Sequence, residues 1–155
     1  MSSQLQSELK QHKPFSCLEQ EAHLSIARTA AVLEHAMAEA LRPHDLTPTQ
    51  YNALRILRGA GEQGLCRNEV RDRLIARVPD ATRLLDRLEE MGHVTRVREG
   101  DDRRYVRAHL SRGGADLLRQ LDAEVVDRHH LLLGHLGPRK LKLLIELLAE
   151  ARNPE

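Results

Sequence analysis

The stretch VPDATRLLDRLEEMGHVTRVREGDDRRYVRAHLS, residues 78–111, decides the fold. In its first part Ala81, Leu84, Leu85, Leu88 and Met91 recur at spacings of three and four, the period of an amphipathic helix. Pro79 opens that helix and Gly92 ends it. Val94 and Val97 then mark a strand. Val106, Ala108 and Leu110 alternate with Tyr105, Arg107 and His109 in a second strand. Gly100-Asp101 between them supplies turn chemistry. Helix, strand, charged loop, strand is the second half of a winged helix-turn-helix. The helix is expected to read a DNA major groove, and the loop, the wing, to touch the neighbouring backbone or minor groove.

The faces of the helix support that reading. At about 100° per residue, Ala81, Leu84, Leu85 and Leu88 form the inner face. Arg83 falls almost opposite, with Pro79, Asp86, Arg87 and Glu90 around it. Side chains near the start of such a helix reach base edges. Arg83 is therefore the expected base reader, its guanidinium suited to a guanine O6/N7 edge. In the loop, Asp101-Asp102-Arg103-Arg104 can place one arginine inward and one outward. An inward arginine paired with Asp102 would stiffen the turn. The outward one can enter a narrow, A·T-rich minor groove.

Outward from this stretch, the pattern stays helical. Leu18, Ala22, Ile26, Leu33, Met37 and Leu41 predict one long helix from Ser16, with Ser16 and Glu19 as its capping box and Pro43 ending it. Thr47-Pro48-Thr49-Gln50 repeats the start signal, with Thr as N-cap, Pro in the first turn and Gln three residues on. This second helix carries Tyr51, Leu54 and Leu57 and stops at Gly59-Ala60-Gly61. Arg67 to Ile75 reads as a short helix, which with the helix from Pro79 makes a helix-turn-helix. Ser111 caps another long helix through Leu117, Leu121, Val125 and Leu132, broken at Gly137-Pro138. A last helix runs from Arg139 to Ala151. The predicted fold is mostly α with a small β-hairpin. It divides into a flexible N-terminal arm (1–15), a dimerisation helix (16–45), a winged helix-turn-helix domain (46–112) and C-terminal dimerisation helices (113–155). The terminal helices have little core of their own and are expected to pack against a second copy.

Net charge is only +1, but its distribution is uneven. Residues 65–112 hold twelve arginines and no lysine against nine acids, while the remainder is slightly acidic. Arginine forks onto phosphate or guanine where lysine is a point charge. Aromatics are limited to Phe15, Tyr51 and Tyr105, which favours packed helices over an aromatic-rich sandwich. Two cysteines, Cys17 and Cys66, make no disulfide framework. No signal peptide and no membrane-spanning run is visible, so a cytoplasmic protein is expected. Nine histidines include the neighbours His129 and His130, but no pair makes an i, i+4 metal clamp, and neither a metal nor a cofactor is expected. No nucleophile elbow, phosphate loop or ligand cluster points to an enzyme.

Residues 46–114 resemble the MarR family of bacterial regulators. The features that carry the resemblance are Thr82-Arg-Leu-Leu-Asp-Arg-Leu-Glu89, the Gly92-His-Val turn into a strand, and Asp102-Arg103-Arg104 followed by Leu110-Ser111-x-x-Gly114. With the flanking long helices, the likeness extends from Ser16 onward. It implies a homodimer on a pseudo-palindromic operator in double-stranded DNA, acting as a repressor and released by a ligand, with a small phenolic or aromatic effector in view. Arg83 would contact bases, Arg104 would enter the minor groove and Arg103 would brace the wing. Pro79, Asp80, Thr82, Arg87 and Arg98 share that surface. Where the family usually has Ser or Thr at the start of the recognition helix, this chain has Arg77-Val78-Pro79-Asp80, and Arg77 is expected to take over the phosphate contact. Cys66 stands where the family often has a Thr capping the preceding helix, with Glu69 three residues on. The family architecture also suggests a pocket lined by His23, Arg28, His44 and Tyr51. Cys17 resembles the reactive cysteine that the family's peroxide sensors keep near the N-terminus, so a thiol sensor is one alternative, with Cys66 a second candidate thiol. A protein-interaction adaptor that has lost DNA binding is another, and the presence of Arg83, Arg103 and Arg104 argues against it.

Overall fold

The computed structural model describes residues 3–98 and 106–153. In chain order these form α1 (Gln4–Glu8), α2 (Leu18–Leu41), α3 (Pro48–Ala60), β1 (Leu65–Cys66), α4 (Arg67–Arg73), α5 (Ala81–Glu90), β2 (Val94–Arg98), β3 (Val106–Leu110), α6 (Arg112–Leu133) and α7 (Gly137–Arg152). Short 3-10 turns follow α2, α3 and α6. No described helix is long and apolar enough to cross a membrane.

Local chemistry explains most boundaries. At the start of α3, Thr47 Oγ1 accepts the Gln50 N–H at 3.2 Å and Gln50 Oε1 accepts the Thr47 N–H at 2.9 Å, so each side-chain oxygen satisfies the other residue's backbone donor. Gly61, at φ +61°, closes that helix. Ser111 accepts the Gly114 N–H at 3.0 Å and caps α6.

Three expectations change. The arm over 1–15 contains α1, capped by Ser3 and anchored by a buried Leu5. The N-cap of α2 is Cys17 rather than Ser16, whose N–H donates instead to Gln20 Oε1 at 2.7 Å. The α5 helix begins at Ala81, with Asp80 as N-cap, so Pro79 lies just outside it.

The hairpin gains a third strand. β3 sits centrally, antiparallel to both β2 (Arg96 opposite Ala108) and β1 (Leu65 opposite Ala108). Two residues are too few to show a period-2 pattern, which hid β1 in the sequence. Gly64, at φ +59°, brings β1 onto β3, where a Cβ would meet the His109 imidazole and the Ala108 carbonyl.

One core joins these elements. Leu41 and Leu46 meet Leu54 and Leu57 of α3, Val70 of α4, Leu85 and Leu88 of α5, Val94 and Ala108 of the sheet, and Leu118 and Leu121 of α6. By contrast, α7 has no buried residue, and α2 buries only Ala40 and Leu41.

Candidate nucleic-acid interface

The α5 helix is held by its apolar face and presents its polar one. Ala81, Leu85 and Leu88 are buried, and Leu84 and Met91 pack partly against the core. Arg83 and Arg87 are exposed. Arg87 Nη1 meets Glu90 at 3.2 Å, whereas Arg83 makes no hydrogen bond or ion pair among the described residues. A cation left unpaired on the face opposite the core is available to an external anion or acceptor.

The start of this helix is organised by Asp80. Its Oδ1 accepts the Thr82 N–H at 2.8 Å. That hydrogen bond holds the Asp80 carboxyl below its usual range, and the positive charges of Arg67 and Arg83 add to the effect. Thr82 Oγ1 in turn accepts a hydrogen bond from Arg67 Nη1 of α4 at 3.2 Å, tying the two helices of the motif together at their outer rim. Arg77 and Pro79 are exposed just ahead of the helix, and Arg98 is exposed at the end of β2. Asp102, Arg103 and Arg104, with the Gly100-Asp101 turn, lie outside the described residues.

A residue not singled out in the sequence fixes the helix to the wing strand. Arg96 of β2 reaches Asp86 Oδ1 at 2.6 Å and Glu89 Oε2 at 2.5 Å. The two carboxylates raise the Arg96 guanidinium pKa further above its ordinary value, chiefly through the Glu89 hydrogen bonds. The signal was present in the alternation of β2: Arg96 shares a face with buried Val94, and Asp86 and Glu89 stand three apart on one side of α5. Behind the helix, the turn into β2 is stitched to α6. Ser111 Oγ donates to the Gly92 carbonyl at 2.6 Å and the Ser111 N–H to the His93 carbonyl at 3.0 Å. A Cβ at Gly114 would overlap that same His93 carbonyl oxygen, so the Leu110-Ser111-x-x-Gly114 spacing is a packing requirement.

The remaining candidates are dispersed. Burial pushes the Tyr51 phenol above its usual pKa of 10.0, and the ring sits in the core. His44 meets Glu124 of α6 at 3.3 Å. It lines a cleft of about 640 Å³ with Asp45, Arg87, Met91, His93 and Leu117, where the helical body meets the reading helix. His23 and Arg28 are exposed on α2. Cys17 is exposed, while Cys66 is half-buried at the N-cap of α4, where Glu69 accepts its N–H at 2.8 Å. A second link missed in the sequence, Arg58 to Asp122 at 2.9 and 3.0 Å, joins α3 to α6. Among the described residues no group of three or more His, Cys, Asp or Glu side chains could hold a metal ion.

Comparison with known proteins agrees with this architecture. The MarR family profile matches residues 44–104. The HTH-type transcriptional regulator FarR of Neisseria gonorrhoeae is 30% identical over 135 residues, spanning 84% of this chain and 91% of FarR. A MarR transcription factor from Planctomyces limnophilus is 38% identical, with a TM-score of 0.69 over 87% of this chain and 98% of its own. A mutant MarR from E. coli, solved in complex with operator DNA, is 28% identical, with a TM-score of 0.76 over 88% of this chain and 99% of its own. The exposed arginine face, the three-stranded wing sheet and these likenesses converge: the chain belongs to the MarR family and is a DNA-binding transcriptional regulator.

Proposed function

We propose that the protein is a homodimeric repressor that binds a pseudo-palindromic operator and is released by a small-molecule effector. The observation that carries the DNA reading is the α5 helix, whose leucines are buried while Arg83 stands exposed and without an ion-pair partner among the described residues. Arg83 reads bases in the major groove. Arg77, Pro79, Asp80, Thr82 and Arg87 frame it along the groove edge, and Arg98 begins the approach to the wing. In the wing, Asp102 and Arg103 brace the turn and Arg104 enters the minor groove.

Dimerisation is supported by the apolar side chains that one copy leaves in water. Leu18, Leu131 and Ile145 are 81%, 72% and 64% exposed, on α2, α6 and α7. A soluble chain rarely exposes so much apolar surface unless a partner covers it. A two-fold dimer places two α5 helices one turn of DNA apart, which makes the operator palindromic.

The cleft lined by His44, Arg87, Met91, His93 and Leu117 suits the effector. Arg87 offers a cation to a carboxylate or phenolate, and Met91 and Leu117 offer apolar walls to a ring. Its occupant would touch both the helical body and the reading helix, and so bias the angle between them. Oxidation of Cys17 is the competing trigger, favoured by its exposure at the N-cap of α2.

Selection of bound duplexes from a random pool tests the reading directly. The expected result is a palindromic consensus bound by a dimer, with affinity lowered by phenolic acids. Recovery of random sequence overturns operator recognition. Release by peroxide in wild type but not in Cys17→Ser transfers the trigger to the thiol.

A further inference from the structure

Ahead of the reading helix lies a second concavity, of about 260 Å³, lined by Arg67, Asn68, Arg71, Pro79, Asp80 and Ala81. It opens beside the rim on which Arg83 stands, but its cations come from α4. We propose that Arg67, supported by Arg71 and Asn68, binds a backbone phosphate of the duplex whose bases α5 reads; the proposal rests on the DNA-binding reading above.

The charges at this rim are unequally engaged. Asp80 spends one carboxylate oxygen on the Thr82 N–H, and the cations whose charge it feels are Arg67 and Arg83, neither of which forms an ion pair with it. An approaching phosphate meets the Asp80 charge first unless a cation stands in front of it. Arg71 is partly occupied, since its guanidinium holds Asp72 at 3.0 Å. Arg67 is exposed and its one hydrogen-bond partner among the described residues is a neutral hydroxyl, Thr82 Oγ1, at 3.2 Å. Among the described residues no carboxylate is hydrogen-bonded to it, Asp80 feeling its charge only at a distance, and the planar fork keeps further N–H donors beyond the one given to Thr82. In a helix-turn-helix the first helix crosses the phosphate backbone while the second enters the groove, which is where α4 and α5 place these groups.

The bond to Thr82 has a second effect. Because Thr82 Oγ1 accepts from Arg67, its own O–H proton is directed elsewhere and is free to donate to an oxygen of the DNA. Arg67 thus supplies charge to the backbone and sets the polarity of a neighbouring hydroxyl. Sequence reading assigned the phosphate contact near this helix start to Arg77; the structure adds Arg67, ten residues earlier and on a different helix.

The test is a salt titration of full-length protein on two labelled duplexes, the selected operator and a scrambled sequence. Each phosphate contact contributes about 0.9 to the slope of log affinity against log salt. Arg67→Ala should weaken both duplexes by the same factor, about tenfold, and make the slope shallower by about 0.9 per protomer. Arg67→Lys, which keeps the charge, should keep most of the slope. Thr82→Val removes the acceptor but no charge, and should lower operator affinity with the slope unchanged. A slope and scrambled-DNA affinity in Arg67→Ala equal to wild type, or an Arg67→Ala that behaves like Thr82→Val, would show that Arg67 only braces α5 and overturns the proposal. Failure of the wild type to bind either duplex overturns the DNA-binding reading itself, an outcome separate from the first.

Discussion

Arg83 and Asp80 show how position decides the role of a charge. Arg83 projects from a helix whose opposite face is anchored in the core, so its guanidinium is left exposed, where the proposed function sets it against base edges. Arg83→Ala is expected to reduce discrimination between operator and scrambled DNA by about 1–3 kcal/mol per half-site. Titration of both duplexes measures it, and unchanged discrimination excludes base reading. Asp80 has two effects of opposite value. It caps α5 through the Thr82 N–H, a contact whose loss costs about 0.5–2 kcal/mol, and on the proposed reading it places a negative charge where phosphates would approach. Asp80→Asn keeps a capping oxygen and removes the charge. It should tighten binding to both duplexes while leaving the urea midpoint near the wild-type value, whereas Asp80→Ala should lower that midpoint. The acid was plain in the sequence and so was its fit to the helix start; that it would be the N-cap itself, with Pro79 outside, was decided by backbone geometry that the sequence leaves open by a residue or two.

At the level of elements, the reading helix is set by contacts on three sides. Its leucines enter the core, Arg96 grips Asp86 and Glu89 from β2, and the Gly92-His93 turn is sewn to α6 through Ser111. Arg96→Met is expected to lower stability by about 1–2 kcal/mol, because two neighbouring carboxylates lose their shared cation and the site is only partly screened by water. Chemical denaturation checks this, and an unchanged midpoint would mean that the apolar face alone aims the helix. The turn also carries a pH response. Burial pushes the His93 imidazole below its ordinary 6.5, and its Nδ1 is buried without a partner among the described residues. A histidine whose folded-state pKa is depressed binds protons more readily when unfolded. Its contribution is therefore intact above pH 6.5 and is lost as the pH falls below it. The melting temperature should drop between pH 7 and 5.5, and drop less in His93→Phe; equal drops would show that His93 does not carry the response.

The whole molecule is divided between a packed DNA-reading half and long helices whose apolar side chains one copy cannot cover. If a second copy covers them, Leu131→Glu with Ile145→Glu should yield monomers by light scattering and weaken operator binding far more than half-site binding; an unchanged mass would place the interface elsewhere. The amino-acid sequence by itself determined the order and kind of most elements, since periodicities of 3.6 and 2, the Thr47 and Ser111 caps and the Gly92 stop are local signals. It also separated Arg83 from the leucines, because the face of a helix follows from spacing alone. What only the tertiary structure decided were relations between residues far apart in the chain. Two-residue β1 becomes a strand only because β3 offers it a partner, and Cys17 rather than Ser16 stands at the N-cap of α2. Arg96 with Asp86 and Glu89, Arg67 with Thr82, and Arg58 with Asp122 likewise appear only in the fold. An ion pair or a cross-helix hydrogen bond depends on distances in space, and those distances are set by how the core closes rather than by any local run of residues.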